Sequence, residues 1–254
     1  MRPAPAAYQD RGGITLLEVD RLSKAFGPTR ALTAASLRCE PGMVHTILGE
    51  NGSGKSTLVK CLAGVIPPDG GVIRIDGAAV RPSSPAFAHR LGIATVFQEI
   101  LIVPERSVLE NVLLGYDGLF GRRVSGPARM ALASGALKRL TNRPLDLNAS
   151  VGQLDLATQQ LIVIARALVL DPTILVLDEA SSALDIDDRA ALFAAIHSIV
   201  ADGRIVLFIS HRMEEVLELS DRVTVLRNGE SVATVERGSV DAEGLLALMS
   251  PNVS

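Results

Sequence analysis

VHTILGENGSGKST, Val44 to Thr57, decides the fold. Val44–Leu48 is a short apolar run bounded by Pro41-Gly42 and by Gly49, and it reads as a buried strand. Gly49 to Thr57 matches G-x-x-x-x-G-K-[ST]. Behind it Leu58, Cys61, Leu62 and Val65 recur at helical spacing, so a helix is expected to start near Lys55. Strand, glycine-rich loop and helix together are the context this motif needs. Gly49, Gly52 and Gly54 let the backbone curl until several N–H groups face one anion, and the helix start adds the positive end of its dipole. Lys55 is expected to reach the β- and γ-phosphates of a nucleotide, and the Ser56 hydroxyl to hold Mg²⁺. Asn51, Ser53 and Thr57 complete the candidate loop. A chance glycine-rich match arises in roughly one chain in a hundred at average glycine usage, and the flanking strand and helix lower that further.

A second chemical signal is LVLDE, Leu175 to Glu179, two carboxylates ending an apolar strand. Alone they would read as solvated strand-end acids. Paired with the phosphate loop, Asp178 fits the Mg²⁺-holding acid of such proteins, and Glu179 is placed to orient or deprotonate an attacking water.

Outward from these two sites, ITLLEVD (Ile14–Asp20), VIRID (Val72–Asp76), GIATVF (Gly92–Phe97) and IVLFIS (Ile205–Ser210) read as strands. Leu161 to Leu168, Asp187 to Val200 and Arg212 to Leu219 read as helices. RVTVLRNGESVATV (Arg222–Val235) reads as a hairpin around Asn228-Gly229, the dipeptide preferred by type I′ turns. The segment from Ile100 to Leu156 is less regular and is expected to be a mostly helical insertion. Strands alternating with helices imply a mainly parallel sheet.

At 254 residues the chain is one large domain or two small ones. The charge of −3 argues against a nucleic-acid binder, which would carry a basic surplus. Apolar residues come in short runs, none near the ~18 that a membrane span needs, so the chain is expected to be soluble with some surface beside a membrane. Cys39 and Cys61 form no CxxC pair, which suits a reducing cytoplasm. The opening MRPAPAAYQDRGG lacks the apolar stretch of a signal peptide and is expected to be a disordered tail over 1–13. His45, His89 and His197 have no partner pattern and read as structural.

The order of motifs resembles the ATP-binding cassette of ABC transporters, from about Ile14 to Met249. Gln98 in TVFQE resembles that family's Q-loop glutamine, which touches Mg²⁺ and the water. SSALD (Ser181–Asp185) resembles the D-loop, and His211 in ISHR the switch histidine that contacts the γ-phosphate. QQLIVIARAL (Gln159–Leu168) resembles the helix after the family signature, and Phe26 in LSKAFG the aromatic that stacks on adenine. The resemblance implies an α/β P-loop NTPase of RecA-like type: a mainly parallel sheet core, an N-terminal antiparallel β part and an inserted α-helical subdomain. The implied boundaries are 14–99 with 170–254 for the nucleotide-binding core and 100–169 for the helical part, together one ATPase domain over 14–254. It also implies ATP and Mg²⁺ as cofactors, with Ser56, Gln98 and Asp178 toward the metal and Glu179, His211 and Gln98 in hydrolysis.

PGMVHTILGENGSGKSTLVKCLAGVIPPDGG, QEILIVPERSVLENVLLG and ISHRMEEVLELSDRVTVLRNG narrow the resemblance to cassettes of monosaccharide importers of the ribose, galactose and xylose type. This implies a second cassette, an integral membrane permease and, indirectly, an extracytoplasmic solute-binding protein. The place of action would be the cytoplasmic face of the membrane. Ile100 to Val103 reads as core, with permease contact the sharper alternative. Monosaccharide importers usually carry two cassettes in one chain, and 254 residues hold one, so a partner cassette on another chain is expected. Two other readings stay open. One is a soluble ABC ATPase of DNA repair or translation, although no coiled-coil, zinc or basic insertion is visible. The other is a weakly active or regulatory cassette. A GTPase is disfavoured, since no NKxD-type motif is present.

The main departure is the signature. Where the family has LSGGQ before the QQ…IARAL helix, this chain has Leu154, Asp155, Leu156, Ala157 and Thr158. SVGQ, Ser150 to Gln153, is a decoy five residues too early. In the family the signature closes over ATP held by the other cassette, so Asp155 would set an anion near the γ-phosphate. Two unit charges 4 Å apart cost up to ~4 kcal/mol at an effective dielectric of 20, against ~1 kcal/mol for a lost neutral hydrogen bond. Repulsion is expected to dominate unless Asp155 turns away or is protonated. Leu156 also adds a side chain where close backbone approach favours glycine. The chain is therefore expected to be strong at its own phosphate loop and weak as a signature donor. Ala180, where the family has proline, is expected to matter little.

Overall fold

Five strands form the parallel centre of one sheet, and their sequences say why. β3 (Val44–Leu48), β7 (Ile174–Asp178) and β8 (Ile205–Ile209) are buried at every residue. Successive strand side chains point to opposite faces. On β8, Val206 and Phe208 enter one apolar layer, while Ile205, Leu207 and Ile209 enter the other. A strand covered on both faces needs a continuous apolar run, and fully burying each Leu, Ile, Val or Phe contributes ~1.5–3 kcal/mol.

The computed structural model describes residues 16–116 and 125–250. The expected tail over 1–13, and Ile14 and Thr15 of the first strand, lie outside them. Before β3 come β1 (Leu17–Phe26) and β2 (Thr29–Cys39). After it follow α1 (Lys55–Leu62), β4 (Gly70–Ile75), β5 (Ala78–Val80), α2 (Pro85–Arg90) and β6 (Ile93–Val96). Then come α3 (Val108–Val112), α4 (Gly126–Lys138) and α5 (Leu156–Val169). After β7 come α6 (Ile186–Ala201), β8 and α7 (Met213–Leu219). The hairpin β9 (Arg222–Arg227) and β10 (Glu230–Glu236) and then α8 (Ala242–Met249) close the order.

The ten strands run β5-β4-β1-β2-β10-β9-β3-β8-β7-β6. β9, β3, β8, β7 and β6 are mutually parallel, while the neighbouring pairs β1–β2, β1–β4 and β4–β5 are antiparallel. The sheet is thus mixed, with the α/β fold class and the antiparallel N-terminal part as expected. α3, α4, α5 and α6 pack on one face, where Phe193 meets Phe208 edge to face at 6.2 Å. α1 packs on the other, with β1 and β2 behind it.

Two local readings change. α1 ends at Leu62, because Gly64 takes φ +68 just past the helix, so Val65 leaves the helical stripe and is exposed. The long strand β2 is announced by no sequence pattern above. Asn228 and Gly229 take φ +50 and +78 in the β9–β10 turn, as a type I′ turn requires.

Candidate functional site

In the parallel centre, Ile47 of β3 pairs with Ile209 of β8, which pairs with Asp178 of β7, and Leu177 pairs with Val96 of β6. The chain leaves all four strands at one edge of the sheet. The glycine loop, Glu179, His211 and Gln98 therefore come from four different connections and meet there, outside the carboxyl ends of parallel strands, where open α/β sheets bind ligands.

The glycine loop is shaped by contacts as much as by freedom. Gly54 has φ +106, and a Cβ there would stand 2.5 Å from the Ala31 carbonyl. Behind the loop the hairpin turn acts as a support: the Gly229 N–H donates to the Ser53 carbonyl at 2.9 Å, and the Thr33 N–H donates to the Gly229 carbonyl at 2.9 Å. No loop motif announces this role for Gly229. Lys55, the first residue of α1, is buried and folds back along the loop. Its Nζ donates to the carbonyls of Gly49 at 2.7 Å and Glu50 at 2.9 Å. Burial lowers the ammonium pKa, and Glu179 and Asp178 oppose that shift. Ser53 Oγ is buried with no hydrogen-bond partner among the described residues, and the first-turn N–H groups of a helix have no intrahelical acceptor. An orphaned hydroxyl, unsatisfied helix donors and an ammonium resting on its own loop fit an incoming phosphate. Asn51 is exposed, and Ser56 and Thr57 are half-buried.

Asp178 is buried at the end of β7. Burial first, and then the neighbouring Glu179 charge, push its pKa up to about 6, while a hydrogen bond from Ser56 and the Lys55 charge pull it back. A hydroxyl and an adjacent carboxylate are hard oxygen donors of the kind Mg²⁺ takes. Glu179 holds φ +51, a left-handed backbone costing ~1–2 kcal/mol for a non-glycine residue. Its N–H is fixed by the Ile209 carbonyl at 2.9 Å. Its side chain is gripped from both sides: Gln98 Nε2 donates to Oε2 at 3.0 Å, and His211 Nδ1 lies 3.1 Å from Oε1. Strain of this kind at a contact point of several loops marks functional sites.

Phe26 sits apart from this group, half exposed at the tip of the β1–β2 hairpin, with Lys24 Nζ 5.7 Å from its ring centre. Further along β2, Ala31 and Leu32 press on Gly54. In the segment that replaces the signature, Asp155 caps α5, its Oδ1 accepting the Thr158 N–H at 2.7 Å. Hydrogen bonding from the Thr158 side chain first, and then from its N–H, holds the carboxyl below the usual carboxylate range, so protonation does not relieve its charge at neutral pH. Leu156 is 65% exposed beside it. SVGQ belongs to a separate 3-10 turn, Val151–Gln153, before this cap. Ile100 and Ile102 pack on the core, while Leu101 is exposed.

A family model for ABC transporters matches residues 32–182. The chain is 42% identical over 237 residues to Ribose import ATP-binding protein RbsA 2 of Rhizobium meliloti, covering 92% of this chain and 46% of that protein. It is 43% identical over 239 residues to Ribose import ATP-binding protein RbsA 1 of Burkholderia ambifaria, covering 92% and 46%. The chain thus spans about half the length of the curated relatives it matches. Among solved structures, a nucleotide-free ATP-binding cassette from an ABC transporter superposes with a TM-score of 0.77 at 26% identity, covering 93% of this chain and 96% of that one. A dimeric cassette in a post-hydrolysis state bound to ADP and Pi gives 0.79 at 25% identity, covering 88% and 100%. With the matched family region running from β2 through the phosphate loop to the turn after Glu179, the chain belongs to the ABC transporter family.

Proposed function

We propose that the chain binds and hydrolyses ATP as a cassette of an ABC importer for a sugar of the monosaccharide class. The observation that carries this reading is the convergence on Glu179, where a residue after β6 and another after β8 grip the carboxylate that follows the buried acid of β7. In the proposed reaction the loop N–H groups and Lys55 hold the phosphates. Lys55 exchanges its loop carbonyls for phosphate oxygens. Glu179 orients the attacking water and takes its proton, held in place by Gln98 and His211, which face the γ-phosphate. Phe26 offers its exposed ring to adenine. Ser56, Asp178 and Gln98 would hold Mg²⁺, which when bound spreads the charge of the β- and γ-phosphates. Catalysis of this kind is positioning and electrostatics.

The partners follow from the same reading: a second cassette, a membrane permease with an extracytoplasmic solute-binding protein, and a place on the inner face of the cell membrane. Leu101, exposed beside Phe97 and Glu99, offers a contact for the permease. The preferred partner cassette carries an intact serine-glycine signature, because Asp155 stays ionised and Leu156 projects from the start of α5. ATP that binds the closed pair better than the open one would shift the population toward closure.

The test is ATP turnover by the purified chain, alone and with a candidate partner cassette. Glu179→Gln should bind ATP as wild type and lose 10²–10⁴-fold in turnover, the usual contribution of a positioned base. Equal turnover in that variant would overturn the assignment. A homodimer that hydrolyses ATP as fast as the mixed complex would overturn the preference for an unlike partner.

A further inference from the structure

Glu215 lies in the first turn of α7 and is 2% exposed. Its Oε2 accepts two hydroxyl hydrogen bonds, from Ser181 Oγ at 2.8 Å and from Ser210 Oγ at 2.6 Å. Its Oε1 faces the Arg212 guanidinium at 3.4 Å. Both serines are themselves buried. Ser181 stands two residues after Glu179 on the turn leaving β7, and Ser210 stands immediately before His211 on the turn leaving β8. Arg212 adds a second tie between the same turns, donating its N–H to Ser210 Oγ at 3.1 Å and its guanidinium to the Ser182 carbonyl at 3.3 Å. A carboxylate placed here for charge alone would need only Arg212. The Ser210 bond ties Glu215 to its own turn after β8, and the Ser181 bond spans to the turn after β7 and is lost if the two slide apart, so one buried oxygen sets their separation. These loops carry the two residues that touch each other, Glu179 and His211.

We propose that Glu215 is a positioning residue, which through Ser181 and Ser210 sets the contact between Glu179 and His211. The proposal rests on the ATPase reading for its consequence and on geometry for its substance, so two readouts are needed. In the purified chain, Glu215→Leu removes the acceptor at similar volume. Glu215→Gln keeps a carbonyl oxygen for the two hydroxyls, and Ser181→Ala with Ser210→Ala removes the donors instead. The expected result is a fall in kcat of tenfold or more for Glu215→Leu and for the double serine variant, with KM for ATP within twofold of wild type. Glu215→Gln should stay within threefold of wild-type kcat, and Glu215→Leu added to the double serine variant should cause no further loss. By NMR, the His211 ring resonances should shift in Glu215→Leu and in the double serine variant but not in Glu215→Gln, with His45 in β3 as the unmoved reference.

Unchanged kcat in Glu215→Leu, a change confined to KM, or an equal loss in Glu215→Gln would overturn the proposal. If Glu215→Leu does not fold, the double serine variant and Glu215→Gln decide. A wild-type chain without turnover both alone and with a partner cassette of intact signature would overturn the ATPase reading alone. The His211 resonances would still judge Glu215, and unmoved resonances in both uncoupled variants would overturn it.

Discussion

Three glycines of the phosphate loop separate conformation from space, and alanine at each should cost a different amount. Gly52 has φ +82, and a Cβ would meet nothing within 4 Å, so Gly52→Ala carries only the left-handed backbone cost of ~1–2 kcal/mol. Alanine also reduces the freedom of the unfolded chain, returning ~0.4–1 kcal/mol, which leaves a net destabilisation of about 1 kcal/mol. Gly49 has no such conformational demand, but a Cβ there would stand 2.3 Å from the Leu226 carbonyl and 2.6 Å from Ser53 Oγ. Backbone cannot step aside as a side-chain end can, so Gly49→Ala should cost the ~1–3 kcal/mol of an overpacked site less the same unfolded-state gain, about 0.5–2 kcal/mol net. Gly54 suffers both. Its φ is +106, and its Cβ would meet the Ala31 carbonyl at 2.5 Å and Leu32 Cδ2 at 2.8 Å. Adding the two terms and subtracting the unfolded-state gain gives about 2–4 kcal/mol for Gly54→Ala. Equilibrium urea unfolding without nucleotide measures this, read as a shift in midpoint at constant slope. If Gly54→Ala is no more costly than Gly52→Ala, the close approach of β2 to the loop is absent in solution and the steric argument falls.

Lys55→Ala should weaken ATP binding at least tenfold, since hydrogen bonds to charged groups contribute ~1.5–3 kcal/mol each; titration with a fluorescent ATP analogue checks it. Asp155→Ala should cost ~1 kcal/mol of stability through the lost cap on α5, and Asp155→Ser, which keeps an acceptor, only a few tenths. Equal losses in the two, measured by urea unfolding, would show that the cap carries no weight. His45 is buried against Thr224 Oγ1 at 2.7 Å, and its pKa is lowered to about 4, first by burial and then by Arg222. The sign follows from proton uptake: between pH 4 and 6.5 the unfolded chain binds the proton and the folded chain does not, so stability falls as pH drops through that window. The fall should approach ~3 kcal/mol by pH 4 and should shrink in His45→Gln. An unchanged acid limb in that variant would refute the assignment.

What the sequence disclosed, and what it hid, follows from how specific each chemistry is. Gly49 to Thr57 and Leu175 to Glu179 were legible because a phosphate loop and a paired acid use residue types that have few other reasons to occur together. β3, β7 and β8 were legible because burial on both faces demands unbroken apolar runs. β2 escaped because its buried residues, Leu32, Ala35, Leu37 and Cys39, alternate only from Ala35 onward. Register shifts in its pairing with β1 put Leu32 out of step. Val65 misled for the opposite reason: it completes a helical stripe that Gly64 has already ended. Glu215 and Gly229 gave no signal, because a glutamate five residues after a serine or a glycine in a hairpin turn are common in sequence. Only the fold brings one to Ser181 and the other to Ser53.

Asp155 caps α5, and under the proposed function the same side chain would also face a partner cassette. A helix start needs an acceptor for its free N–H groups, and serine and aspartate both supply one. Aspartate also gains from the positive end of the helix dipole, so α5 begins at least as well here as it would from the family's serine. Receiving an anion from a partner cassette is a separate demand, and there the two residues part. Serine can turn its hydroxyl proton outward, whereas Asp155 has already spent one oxygen on Thr158 and keeps its charge. In the open state Asp155 is exposed, where a phosphate charge 4 Å away costs only ~1 kcal/mol in water; in a closed, partly dehydrated interface the same pair costs ~4 kcal/mol. The penalty therefore grows with closure and is small on approach. It would shorten the life of the closed pair rather than slow its encounter, and it would do so only at the ATP facing this segment, leaving the ATP held by the chain's own loop to the partner's signature.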